Sequence, residues 1–201
     1  SDVYKRQAWK RNLLVLWFSN FATAVGMMAM VPFLTLYVEE LGMTDPAERN
    51  LWAGIIVGAA PVVAALMGPI WGAVGDRIGR KPMVLRALAA IVVFVGLMGT
   101  VDGVWTLLLL RILQGAFSGY VPPSITLVSV QAPADRQGRV AGWMHSAMPA
   151  GAVIGPAIGG AIADTASMRI VFPLCSVLAA IGFVLVATMV KDGASHATPQ
   201  T

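Results

Sequence analysis

Charge is scarce in this 201-residue chain: 14 Lys and Arg plus 10 Asp and Glu make only 12% of it. A soluble domain carries about a quarter charged residues. Whole stretches, Ala87 to Val101 and Ile112 to Ala134, carry no charge at all. That excludes an ordinary soluble domain, because a helix of about 20 mostly apolar residues crosses a bilayer and several segments here reach that length. Cysteine is limited to Cys175, which excludes a disulfide framework, and no CxxC or Cys/His cluster is present to hold zinc. The sequence therefore calls for no metal and no cofactor. Nucleic acid is excluded as a partner despite a net charge of +4, since the cations fall in short loops rather than on one soluble face.

What fills the chain instead is apolar: 57% hydrophobic residues and a mean hydropathy of +0.75. Six apolar segments stand out at 13–38, 51–74, 82–101, 104–130, 139–163 and 170–190. The fold class that follows is an all-α membrane protein of six transmembrane helices. Short polar connections separate the segments. They hold Glu39 to Arg49, Asp76 to Lys81, Asp102-Gly103, Ala134 to Gly138 and Asp164 to Arg169. Ser1 to Gln7 fit nothing that follows and are too polar for a signal peptide; they resemble a sequencing adapter translated onto a reading frame. The expected organisation is a non-native or disordered terminus at 1–8, a six-helix bundle at 9–190 and the start of a polar cytoplasmic linker at 191–201.

Loop cations set the expected orientation. With the amino terminus inside, the inner side holds Lys10, Arg11, Arg77, Arg80, Lys81, Arg86, Arg136, Arg139 and Lys191, besides Lys5 and Arg6. The outer side holds Arg49 and Arg169 among Glu39, Glu40, Asp45, Glu48, Asp102 and Asp164. Both ends of the segment are thus expected in the cytoplasm. Val31-Pro32-Phe33-Leu34-Thr35-Leu36 in span one and Val121-Pro122-Pro123-Ser124-Ile125-Thr126-Leu127 in span four are similar. They would correspond in a three-plus-three inverted repeat, although chance likeness between apolar stretches is common.

The turn between spans two and three reads Gly72-Ala73-Val74-Gly75-Asp76-Arg77-Ile78-Gly79-Arg80-Lys81. Gly75 and Gly79 permit a sharp turn, and Asp76 stands four residues before Arg80, a spacing for an ion pair. On charge alone this is an ordinary basic loop. In residue order it resembles the signature loop of the major facilitator superfamily, matched at Gly72, Asp76, Arg77, Gly79, Arg80 and Lys81, with Val74 and Gly75 in place of the usual Leu and Ala. The resemblance implies one half of a major facilitator fold, and a loop that latches two halves together on the cytoplasmic side.

Arg111 lies within span four, where an arginine costs about 2.5–3.5 kcal/mol on insertion scales. It either faces a cavity or partner, or snorkels to the outer surface. With Gln114 and Gly115 it resembles the family's fourth-span motif tied to proton coupling. The later glycine of that motif is Phe117 here. Arg111, Gln114, Ser118, Pro122 and Ile125 recur at helical spacing, as on a pore-lining face. In span five, Gly151, Gly155 and Gly159 form a smooth ridge for close helix packing, and Pro156 adds a bend. With Gly160 they complete a string that resembles the antiporter motif of facilitator exporters. Nearly all of Trp9 to Lys191 resembles twelve-span drug:proton antiporters. That implies efflux of small, amphipathic or drug-like molecules, with spans one, two, four and five lining the cavity.

Candidate cavity residues are Asn20, Thr23, Met27 and Met30 on one face of span one, Ser118 and Pro122 in span four, and His145 and Met148 in span five. Methionines suit a promiscuous apolar site, yet they equally fill packing space; a lone His is more often packed than titrating. No span clearly holds the carboxylate that proton antiport needs. The partners implied are the bilayer, a small-molecule substrate, protons and a missing carboxy-terminal six-helix half. Other classes remain open: an uptake permease, a membrane scaffold, or an intramembrane protease using Ser118 in Gly115-Ala116-Phe117-Ser118-Gly119 with His145.

Overall fold

The computed structural model describes residues 2–163 and 168–191, with side chains over 8–162 and 169–191. The expected linker, residues 192–201, and most of the fifth connection, residues 164–167, lie outside the described residues. Helix accounts for nearly all of the rest: α1 (Asp2–Met30), α2 (Leu34–Glu40), α3 (Pro46–Ile78), α4 (Arg80–Met98), α5 (Val104–Phe117), α6 (Val121–Ser129), α7 (Gln137–Ala163) and α8 (Val171–Met189). The described residues contain no strand. Five spans are long and apolar enough to cross a membrane: 8–40, 46–78, 80–98, 104–129 and 171–189. The 27-residue α7 completes six, its apolar character diluted by glycines, Pro149, Pro156 and His145.

Span two outruns its apolar segment, 51–74, because residues that read as loop continue the helix. Asp45, Pro46 and Glu48 open α3: the Asp45 carboxylate accepts from the Ala47 and Glu48 amides, both at 3.0 Å. An N-cap aspartate followed by proline at the first helical position is a strong start signal. At the far end of α3 a single residue, Gly79 with φ +95°, turns the chain into α4. That conformation strains any residue with a Cβ. Gly75, expected to share the turn, is instead helical, and its bare face admits Met83 of α4.

Spans one and four are each broken. One 3₁₀ turn, Val31–Phe33, divides α1 from α2, and Ser118–Tyr120, with Gly119 at φ +98°, divides α5 from α6. Both breaks fall where the two similar segments begin, at Val31-Pro32 and Val121-Pro122, because proline removes a helical donor and clashes with the preceding turn. The packing follows the same exchange. Span one lies on spans five and six, span four on spans two and three, and spans three and six pack on each other. Swapping one with four, two with five and three with six returns this set of pairs, as a three-plus-three inverted repeat requires.

The seam between α1 and α7 is the closest in the bundle. A Cβ on Gly151 would stand 2.5 Å from the Ala24 Cβ, and one on Gly155 would stand 2.6 Å from the Val25 carbonyl. Gly159 sits likewise against the Ala29 carbonyl, whereas a Cβ on Gly160 would meet only the Phe33 ring at 3.9 Å. Lipid tails are as apolar as leucine, so helices associate in a membrane through such close contact. On the other side of α1, Gly26 abuts Cys175 and Ser19 abuts Gly182, both residues of α8.

Gly155→Ala should therefore force α1 and α7 apart and cost about 1–3 kcal/mol, read as a lower melting temperature of the full-length protein in detergent. Gly160→Ala should melt like the wild type. Equal melting of the two variants would remove the ridge as the source of the seam.

Candidate transport machinery

At one end of the bundle, Arg49 pairs with Glu39 at 2.6 Å and Arg169 with Glu40 at 2.9 Å, with Asp102 3.8 Å away. The Glu40 hydrogen bond holds the Arg169 guanidinium above the usual arginine range. These two cations are the ones the loop count placed outside, and both are matched by acids of that same end. At the opposite end, the Asn12 amide donates to Gln131 at 2.7 Å and to the Lys191 carbonyl at 3.0 Å. The start of the bundle, the fourth connection and the end of α8 therefore meet on one side. Sequence reasoning passed over Gln131, which belongs to no motif.

The turn residues of the signature loop share that side with different fates. Gly72 lies in α3 with no neighbour within 4 Å of its Cβ position. Asp76 and Arg77 are exposed on the last turns of α3. The ion pair expected from Asp76 to Arg80 is not formed: the described ion pairs include neither residue. The two residues flank the Gly79 turn, so the regular helical spacing that would bring them together is lost. Lys81 caps α8, donating to the Ala187 and Val190 carbonyls at 3.0 and 2.6 Å.

Arg111 is 3% exposed, so it does not snorkel. Its Nε donates to the Ile56 carbonyl at 2.9 Å, its Nη2 to the Val57 carbonyl at 3.2 Å and its Nη1 to Gln114 Oε1 at 2.9 Å. The reason lies in Pro61, inside α3. Proline has no N–H, so the carbonyl four residues earlier, that of Val57, has no helical donor. A bare carbonyl in hydrocarbon costs several kcal/mol, and the guanidinium supplies the donor. Gln114 in turn donates to Met27 Sδ of span one at 3.6 Å. Gly115 lets the backbone of α5 lie directly on Ala60. Arg111, Gln114 and Gly115 thus meet spans one and two at one locus.

The single mixed face expected from Arg111 to Ile125 does not exist, because the break at Ser118–Tyr120 interrupts helical spacing. Arg111 and Gln114 are buried, Ser118 is half-buried with its hydroxyl donating to the Gly115 carbonyl at 3.3 Å, and Pro122 is exposed. Among the cavity candidates on span one, Met30 is 1% exposed and belongs to the apolar core. Asn20 and Thr23 are each 1% exposed, and their polar side-chain atoms have no hydrogen-bond partner among the described residues. Met27 is half-buried at the Gln114 contact, and Met148 accepts from the Tyr120 hydroxyl at 3.7 Å. His145 is exposed, and no described hydrogen bond joins it to Ser118, so the two make no nucleophile–base pair.

Six helices in an inverted repeat, with a charged residue buried at the meeting of spans one, two and four, define an integral membrane protein. The chain belongs to the Major Facilitator Superfamily, which it matches over residues 16–201. It is 37% identical over 188 residues to "Multidrug resistance protein MdtG" of Proteus mirabilis, covering 94% of this chain and 47% of that one. It is 38% identical over 164 residues to the protein of the same name in Escherichia coli K12, covering 82% and 40%. The chain spans about half the length of these curated relatives. Among solved structures it resembles the human organic anion transporter MFSD10 (TETRAN), with a TM-score of 0.79, 17% identity and coverage of 92% and 48%. A peptide transporter POT gives 0.74, 19%, 91% and 41%.

Arg111→Met should leave the Val57 carbonyl bare and destabilise the protein. Pro61→Ala restores an N–H at position 61, so Arg111→Met should cost less in that background. A double-mutant cycle by thermal melting should give a coupling of about 0.5–3 kcal/mol; additive effects would show that Arg111 does not serve the kink.

Proposed function

We propose that this chain is the amino-terminal six-helix half of an exporter of small amphipathic or drug-like molecules, working by alternating access and proton antiport. The observation that carries it is the buried Arg111–Gln114 pair, a charge held inside the bundle at the junction of three spans. An ionisable group at membrane depth is a functional site by default. Arg111, Gln114 and Gly115 serve proton coupling, and the carboxylate that shares the proton lies in the other half. The string Gly151, Gly155, Pro156, Gly159 and Gly160 supports export over uptake, as do relatives named multidrug resistance proteins.

Asp76 and Arg77 are exposed and unpaired among the described residues, which fits a latch whose partner is the carboxy-terminal half. Gly79 gives the turn and Lys81 anchors it to α8. Asn20, Thr23, Met27, Ser118, Pro122, His145 and Met148 contribute to the substrate path, with Asn20 and Thr23 closed off in this conformation. The excess of loop cations on the Asn12–Lys191 side supports a cytoplasmic position for that side, in a bacterial inner membrane.

In proteoliposomes holding the full-length protein, an imposed proton gradient should drive a fluorescent amphipathic dye in the direction opposite to proton flow. Asp76→Asn should abolish transport with insertion intact, and Arg111→Ala should remove the response to the gradient. Dye moving with the protons would establish an uptake symporter instead, and wild-type transport by Asp76→Asn would remove the latch.

A further inference from the structure

Arg86 counts in the sequence only as an inner cation, and the transport scheme above makes no use of it. In the structure it reaches the break of span four. Its Nη2 donates to the Ser118 carbonyl at 3.2 Å, and its guanidinium carbon lies 3.5 Å from the centroid of the Trp71 ring. The Trp71 indole N–H donates to the Ala116 carbonyl at 2.6 Å. Three spans thus converge on two carbonyls.

Both carbonyls lack helical donors. Pro122 has no N–H to direct at Ser118, four residues earlier. The break itself removes the Tyr120 N–H that a continuous helix would aim at Ala116. The side chains of α3 and α4 supply what the backbone cannot. Arg86 repeats here what Arg111 does at Pro61: a guanidinium takes the carbonyl that a proline has stripped. The remaining Arg86 nitrogens, Nε and Nη1, are buried without a hydrogen-bond partner among the described residues, so the indole face compensates the burial of the charge. Arginine suits this position because its planar group stacks while it donates; a lysine can donate but cannot stack.

The location gives the contact its consequence. α5 is fastened to α3 by Arg111, by Gly115 on Ala60 and by Trp71. α6 packs on α4 and α7 and touches α1. α4 packs on both α5 and α6, and at Ser118–Tyr120 the chain passes along it from α3 to α7. We propose that Arg86, braced on Trp71, is a positioning residue that holds the break of span four and sets α6 relative to α5. Its effect on turnover rests on the transport reading; its hold on the break does not.

The test uses the full-length protein in nanodiscs and proteoliposomes, as wild type, Arg86→Met, Arg86→Lys and Trp71→Phe. Amide hydrogen exchange across 117–124 should speed by about tenfold or more in Arg86→Met and Trp71→Phe, with 105–115 unchanged. Lys should fall between. Maximum dye transport should drop about tenfold with KM within about twofold of wild type, since the clamp holds backbone and not substrate. Unchanged exchange in both Arg86→Met and Trp71→Phe overturns the proposal. So does a raised KM at full maximum rate, which would put Arg86 on the binding surface. Should Arg86→Met fail to insert, Trp71→Phe makes the same comparison. Should the wild type move no dye, the transport reading fails and the exchange result alone decides the clamp.

Discussion

A carbonyl oxygen inside hydrocarbon must find a donor within the protein, and this bundle is organised around carbonyls that have lost theirs. Prolines interrupt span one at Pro32, span two at Pro61 and Pro69, span four at Pro122 and Pro123, and span five at Pro149 and Pro156. Each removes one N–H from the helical ladder. Two arginines go to such places, Arg111 to Val57 and Arg86 to Ser118, and Trp71 serves Ala116 at the break of span four. Helix ends are served the same way, Tyr37 reaching the Met98 carbonyl at 2.7 Å and Lys81 the end of α8. Burying a cation is costly, and leaving a carbonyl bare is costly too. Pairing the two settles both at once.

The inverted repeat then distributes these contacts. Each broken span has a long part and a short part. The long part of span one, α1, lies on span five, and its short part, α2, lies on span two. The long part of span four, α5, lies on span two, and its short part, α6, lies on span five. Glycine makes the first pairing tight along α7, and Gly115 with Arg111 makes the second tight along α3. The bundle is thereby two close pairs of long helices, each reached across by the short end of the other pair's broken span. Such an arrangement has discrete packing contacts that repack rather than deform continuously.

Electrostatics at the two ends differ in kind. At the acid-rich end both cations are held by acids, Arg49 by Glu39 and Arg169 by Glu40. At the basic end Arg136 pairs with Asp135 at 3.5 Å, while Asp76 and Arg77 are exposed without ion-pair partners among the described residues. Exposed pairs of this sort contribute about 0–1 kcal/mol each, so the pairs at the acid-rich end matter less for stability than for placing three connections together.

The six-span architecture, the common side of both ends and the Gly79 turn are legible in the sequence, because each rests on composition or on a residue whose own backbone preferences are extreme. The repeat was legible too, in the two Val-Pro segments, once both proved to mark a break. The start of α3 was present as Asp45-Pro46 and passed for loop. What tertiary structure alone decided was where the polar side chains point. Met30 lies in the apolar core, Asp76 does not meet Arg80, and the spacing from Arg111 to Ile125 is cut by the break. Arg86 and Arg111 find their partners on other spans. Those partners are main-chain carbonyls, the same atom in every residue, so no motif can announce them; only the fold brings a particular carbonyl within reach of a particular arginine.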